Sequence, residues 1–393
     1  MIGAGGAPED MISRAVPPVI SRNRLERVRQ RMQASAIDAL VVSHLPNIRY
    51  LTGFVGTAGL VVVTHTACAL VVDFRYQSVA RSLVASTPER AAELTVVLAS
   101  GSYDETLAEV LRTNGARRVG IEASSMAVSR FNRLSAALAG SAPTPLRSPD
   151  GCPVLVPTER LIESERVVKD EGEVAILREA GRRLGRATDE AISLARPGRS
   201  ELEVAGDLDA MLRRVGFERP AFETIVASGP NSALPHARPG SRVLGEGDGV
   251  VLDFGGVYDG YCVDLTRTVQ LGDAGESFRR LFAAVADAQQ AAIAMVRPGI
   301  KASVVDGAAR TALGRYGLEE AFGHGTGHGL GLEVHEEPRI GRPLGGQPDL
   351  VLQPGMVFTI EPGVYVEGVG GVRIEDDVLV TDEGCVVLTA NGG

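Results

Sequence analysis

Four carboxylates and a run of histidines are the residues of this chain that could do chemistry together. Asp253 in "VVLDFGG", Asp264 in "CVDLTRTV", Glu361 in "VFTIEPG" and Glu375 in "GVRIEDDVLV" each stand in β-branched, apolar stretches that read as strands. A buried carboxylate without a partner costs several kcal/mol or takes up a proton, so four of them converging require counter-charge. Two divalent cations balance them, with neutral His328 as a fifth ligand, whereas one ion would leave the cluster about two charges short. A set richer in carboxylate than in imidazole suits Mn²⁺, Co²⁺, Fe²⁺ or Zn²⁺ rather than a thiolate-type structural zinc. Two such ions about 3.5–4 Å apart activate a water and polarise a carbonyl in hydrolases.

Three of the six histidines fall in "GHGTGHGLGLEVHEEP", residues 323–338. His324 and His328 have the spacing of a helical metal pair, but glycines at 323, 325, 327, 329 and 331 argue against a helix and no glutamate follows His324. His236, in "NSALPHARPG", reads on its own as a loop residue.

The elements that must position these residues are periodic enough to read. From about residue 22 the chain alternates helix and strand. "RNRLERVRQRMQASAI" predicts a helix, "DALVVS", "GLVVVT" and "CALVVDF" strands, and "YQSVARSLVAS" a helix. "ELTVVLAS", "YDETLAEVLRTNG", "RRVGIEA" and "SSMAVSRFNRLSAALAG" continue as strand, helix, strand, helix. The stretch "GSAPTPLRSPDGCPVLVPTER" carries no period and marks the junction, so the expected organisation is a tail over 1–21, a small α/β domain over 22–155 and a larger α+β domain over 156–393.

The second half contains an internal repeat. "ARPGRSELEVAGDLDAMLRRVGFE" (195–218) and "VRPGIKASVVDGAARTALGRYGLE" (296–319) align without a gap at an offset of 101, with nine identities in 24 positions. The acidic strands follow in the same order: Asp253 corresponds to Glu361 at an offset of 108, and Asp264 to Glu375 at 111. A period near 100 is too long for a solenoid and indicates one fold made of two related halves, with a shared site between them.

Composition narrows the class. A net charge of −9 and the lack of a basic run argue against nucleic acid as a partner. No apolar stretch is long enough to span a bilayer and the start does not read as a signal peptide. The scattered Cys68, Cys152, Cys262 and Cys385 suit a reducing compartment, so the expected location is the cytoplasm.

The ordered set "DFGGVYDGYCVDLTRT", "GHGTGHGLGLEVHEEP", "TIEPGVY" and "GVRIEDDVLV" resembles the pita-bread (M24) metallopeptidases, a group that includes aminopeptidase P, prolidase, methionine aminopeptidase and creatinase. The resemblance runs from about residue 22 to the end and implies a pita-bread catalytic domain with pseudo-two-fold symmetry. It implies that Asp253 binds one metal, Asp264 and Glu375 bridge the pair, and His328 and Glu361 hold the second. It further gives His236 to the developing oxyanion and His335 to the scissile carbonyl. Glu361, next to the nucleophile, is expected to carry the proton, and Arg373, two residues before Glu375 on the same strand face, to orient the bridging carboxylates; His324 stays without a fixed role. The expected ions are two Mn²⁺, with Co²⁺ or Zn²⁺ suiting the same ligands.

"NIRYLTGFVGTAGLVVV" and the "DFRY" at 73–76 are similar to the N-terminal domain of aminopeptidase P-type enzymes. The implied reaction is release of the N-terminal residue from Xaa-Pro peptides by a metal-bridging hydroxide, in a homodimer or higher oligomer. A prolidase acting on Xaa-Pro dipeptides is the alternative. A non-peptide amidase and a non-catalytic binding protein of the same fold are further ones.

Overall fold

The computed structural model describes residues 22–86, 93–139, 152–343, 345–346 and 348–390; the tail expected over 1–21 lies outside them. The chain divides into two compact units, residues 1–165 and 166–393.

The first unit is built on a six-stranded sheet of order β4-β3-β2-β1-β5-β6, in which β2 runs antiparallel to both neighbours and the other contacts are parallel. The strands are Ala39–Val42 (β1), Leu60–Thr64 (β2), Cys68–Val72 (β3), Leu94–Leu98 (β4), Arg118–Glu122 (β5) and Val154–Thr158 (β6). β1, β2 and β3 are buried at every position, which is why they read as unbroken apolar runs. Helices Arg22–Ala34 (α1), Leu45–Thr52 (α2), Gln77–Ala85 (α3), Tyr103–Thr113 (α4) and Val128–Ala139 (α5) complete it.

Two of these elements were not legible in the sequence. α2 starts where the Glu122 carboxylate, from the far end of β5, accepts the backbone N–H groups of Ser43 (2.6 Å) and His44 (2.8 Å). A negative charge at a helix N-terminus stabilises the first turn, and no local pattern announces a partner so distant in the chain. β6 lies inside the stretch read as a junction. It pairs in parallel with β5 over five positions, and the two compact units meet within the one-turn helix Glu163–Arg166 (α6). Pro157 fits there because β6 is an edge strand and that residue has no N–H to give.

In the second unit Asp170 and Ser200 open the helices Glu171–Leu194 (α7) and Glu201–Arg214 (α8) with capping boxes. Then come Arg219–Pro220 (β7), Ile225–Ser228 (β8) and the long antiparallel pair Gly249–Tyr258 (β9) and Tyr261–Gln270 (β10). Helices Gly275–Met295 (α9) and Ala302–Arg315 (α10) open the second half. Strands Gly327–Gly329 (β11), Glu336–Ile340 (β12), Val357–Ile360 (β13), Gly363–Val366 (β14), Gly370–Arg373 (β15), Asp376–Val380 (β16) and Cys385–Val387 (β17) follow.

The repeat is visible in the backbone. Leu244 N donates to Arg199 O and Leu352 N to Ile300 O, both at 2.8 Å, while Gly198 N donates to Leu244 O and Gly299 N to Leu352 O, both at 2.9 Å. These pairs are offset by 101 and 108, the same offsets as in the sequence. Each half has its own apolar cluster, one around Leu177, Leu208, Leu252 and Val263 and one around Leu281, Val285, Val305 and Leu313. The sheet of β10-β9-β7, with β8 on β9, meets the sheet of β12-β11-β13-β16-β17 through the bridge between Thr266 and Glu375.

The halves are not identical. Asp253 and Asp264 lie inside strands, as expected, but Glu361 follows β13 and Glu375 falls between β15 and β16. Pro362 has no N–H for the ladder, so the second hairpin breaks there and β14 and β15 peel away as a separate pair.

Candidate active site

The seam between the halves gathers the five residues. Asp253 stands opposite Thr266 in the β9/β10 register, so Asp253, Asp264 and Thr266 share a sheet face. Thr266 Oγ1 donates to Glu375 Oε2 at 2.5 Å. Asp264, His328 and Glu375 offer ligand atoms that all lie within 4.8 Å of one another. His328 Nε2 stands 3.3 Å from Glu361 Oε1 and 3.9 Å from Asp264 Oδ2. Asp253 is held by Arg373, whose Nη2 donates to Asp253 Oδ2 at 2.5 Å.

The electrostatics of this arrangement call for cations. Burial, then Glu375 and Asp253, push the Asp264 carboxyl well above the usual carboxylate range. Burial, then Glu361 and Asp253, do the same to Glu375, and burial raises Glu361. Asp253 Oδ1 and Asp264 Oδ1 are buried with no hydrogen-bond partner. His328 Nδ1 lies 3.1 Å from the Gly329 carbonyl, which requires the ring proton there and leaves Nε2 bare towards the carboxylates. Burial lowers the His328 pKa, so the ring is neutral. Orphaned carboxylate oxygens facing a bare imidazole nitrogen are the donor set of a divalent metal centre.

Gly327 lets the histidine strand approach. A Cβ there would sit 1.8 Å from the Thr359 carbonyl oxygen, on the strand whose Thr359 Oγ1 accepts the His328 N–H at 3.0 Å. Gly327→Ala is therefore expected to cost about 3 kcal/mol and lower the melting temperature by roughly 10 °C. An unchanged melting temperature would rule out so close an approach.

His335 and His236 are exposed at the site, and the His335 ring lies with its centroid 4.3 Å from that of His328, tilted by 59°. His324 belongs to a different group: Nδ1 faces the Gly325 carbonyl at 2.9 Å and Nε2 faces Tyr365 Oη at 3.2 Å. Tyr365 in turn accepts from Arg373 Nη1 at 2.8 Å, and Arg373 also donates to the Pro235 carbonyl (3.3 Å), next to His236. Arg373 stays charged against burial because Asp253, Tyr365 and Glu375 surround it. The sequence reading passed over Tyr365, although it stands two residues after Gly363 on the strand face that Arg373 shares; the alternation in "GVY" opposite "GGVR" was the available signal. Asp377 was passed over too. It is fully buried, accepts the Asp264 N–H at 3.0 Å, and its carboxyl is pushed well up by burial.

The family model for metallopeptidase family M24 matches residues 175–382, and that for the creatinase/prolidase N-terminal domain matches 24–168. The chain belongs to metallopeptidase family M24. This M24 peptidase is 32% identical to an Xaa-Pro dipeptidase of Pyrococcus horikoshii over 94% of its own length and 97% of the relative's. It superposes on an Xaa-Pro dipeptidase of Bacillus anthracis with a TM-score of 0.84 at 34% identity, covering 93% of this chain and 97% of that one. An X-Pro aminopeptidase of Thermotoga maritima gives 0.79 at 32% identity, covering 93% and 97%. The small α/β domain followed by a pita-bread catalytic domain is thus the fold of the M24 peptidase, and membership implies divalent metal ions. Among the described residues no helix is long and apolar enough to cross a membrane.

Proposed function

We propose that this M24 peptidase hydrolyses Xaa-Pro dipeptides, with Asp253, Asp264, His328, Glu361 and Glu375 holding two divalent ions, Mn²⁺ first among them. The observation that carries the reading is the resemblance to an Xaa-Pro dipeptidase over 97% of that relative's length, combined with a carboxylate and imidazole set that fits a metal pair. A metal pair held there would supply an activated water and polarise the scissile carbonyl. The rest is the work of side chains. His335 and His236 reach the substrate carbonyl and hydrogen-bond the charge that develops on its oxygen. Glu361, steadied by Thr359 Oγ1 at 3.2 Å, carries the proton to the leaving nitrogen. An amide nitrogen, proline's included, leaves as an amine only once it is protonated, because an amide anion is too poor a leaving group. Arg373 orients Asp253, and His324 orients Tyr365.

Release of an N-terminal residue from longer Xaa-Pro peptides stands as a second reading, supported by the likeness to the Thermotoga aminopeptidase. Incubating Mn²⁺-loaded protein with Xaa-Pro, Xaa-Pro-Yaa and Xaa-Ala-Yaa and following products by mass separates them. Cleavage of the dipeptide alone is expected; cleavage of the tripeptide as well favours the aminopeptidase, and cleavage of none overturns both. His335→Ala is expected to lower kcat about 10²–10³-fold with both metal equivalents retained; loss of a metal equivalent would make His335 a ligand instead.

The proposal includes a cytoplasmic homodimer or higher oligomer. Cys68, Cys262 and Cys385 are free, and burial pushes the thiols of Cys68 and Cys262 up to about 12, which keeps them protonated and unreactive.

A further inference from the structure

His335 is an exposed side chain that immediately precedes β12, at the end of a glycine-rich passage from β11. Left to itself such a residue would sample many positions. Two buried cations hold the passage on either side of it. Arg166, 1% exposed, donates Nη2 to Glu333 Oε2 at 2.9 Å and to Glu336 Oε2. Lys169, 5% exposed, donates Nζ to Glu336 Oε1 and to the Arg166 carbonyl at 2.6 Å. Glu333 precedes His335 by two residues and Glu336 follows it by one.

The backbone is fastened at the same place. Gly331 N donates to Glu333 O at 3.0 Å and Cys262 N to Gly331 O at 2.6 Å. A Cβ at Gly331 would lie 2.4 Å from Glu336 Oε1 and 2.9 Å from Lys169 Nζ, so the loop packs directly on the ion pair. Apolar side chains of similar volume would stabilise a loop as well as a buried ionic cluster or better. What the cluster adds is direction, because charge-assisted hydrogen bonds fix where each carboxylate sits.

We propose that Arg166 and Lys169 are positioning residues that act through Glu333 and Glu336 to hold the His335 imidazole at the substrate carbonyl. The inference rests on the reading of His335 as a substrate contact. A group that must meet a developing charge loses much of its effect when displaced by about 1 Å.

The test uses the full chain loaded with Mn²⁺ and alanylproline as substrate, with Lys169→Met and, in case that variant folds poorly, Glu336→Gln. Each is made alone and together with His335→Ala. Either single variant is expected to lower kcat about 10–100-fold while KM moves less than about threefold and metal content is unchanged. In the His335→Ala background the same substitution is expected to have no further effect on kcat, whereas additive losses overturn the proposal. The second readout needs no turnover. In metal-free protein carrying ¹⁵N-histidine, the His335 side-chain signal, assigned by its absence in His335→Ala, is expected to shift in Lys169→Met while that of His236 stays. An unmoved His335 signal overturns the clamp alone. Full kcat in His335→Ala overturns the reading of His335 as a substrate contact, and the proposal with it.

Discussion

Replacing Asp264 by asparagine is expected to abolish hydrolysis and, in the same protein, to raise the melting temperature of the metal-free form. The two effects have one cause. Asp264 sits where burial and three or more neighbouring carboxylates all oppose its charge, and its Oδ1 has no hydrogen-bond partner. Without cations that charge is a burden on the fold, so an isosteric neutral amide relieves it. As the metal ligand proposed above, it is expected on loss to cost several kcal/mol of the Lewis-acid contribution, about 10³-fold in kcat/KM. Metal content by mass spectrometry, hydrolysis of an Xaa-Pro dipeptide and calorimetry with and without chelator measure all three. An active Asp264→Asn protein would sink the metal assignment. A lower melting temperature in the chelated variant would sink the electrostatic account.

The metal-free wild-type protein is expected to become more stable as the pH is lowered from about 8 to about 6.5, and Mn²⁺ is expected to flatten that slope. Asp264, Glu375, Asp377 and Glu361 all have carboxyls raised chiefly by burial. A carboxyl whose folded pKa lies above its unfolded value binds its proton more tightly in the folded chain. Its stabilisation is complete below the ordinary carboxylate range and is lost as the pH rises through the folded value. Each such group contributes up to about 1.4 kcal/mol per pH unit while it titrates. The lowered pKa values of His324, His328 and His335 act in the opposite sense, favouring the folded state above the ordinary histidine value of about 6.5 and costing stability below it. Within this window the histidines already work against the carboxyls as the pH nears 6.5, so a rise in stability on acidification can come only from the carboxyls. A melting temperature that falls on acidification across this window would show that the cluster is not the seat of the strain.

The candidate site and the fold were legible to different depths, for reasons that particular residues make plain. Asp253 and Asp264 stood out because aspartate is rare inside a buried apolar strand, and both do lie inside β9 and β10. Glu361 and Glu375 were found by the same pattern but sit at strand breaks, a consequence of Pro362 that the repeat concealed. α2 and β6 were missed because each depends on a partner far along the chain, the Glu122 carboxylate for one and the edge of β5 for the other. Tyr365 and Asp377 stood inside quoted motifs but matter through what they touch, and Arg166 and Lys169 carry no motif at all.

The sequence by itself determined the two related halves, the four acidic positions and the histidine that joins them. Chemistry of that kind depends on residue type and period, both of which are written locally. Only the tertiary structure decided how three other histidines divide, with His324 turned to Tyr365, His236 beside the carbonyl that Arg373 grips, and His335 next to the His328 ring on a loop held by buried Arg166 and Lys169. Those roles rest on distances between residues up to 170 positions apart, and burial, which sets the charge of each group, exists only once the chain has closed around it.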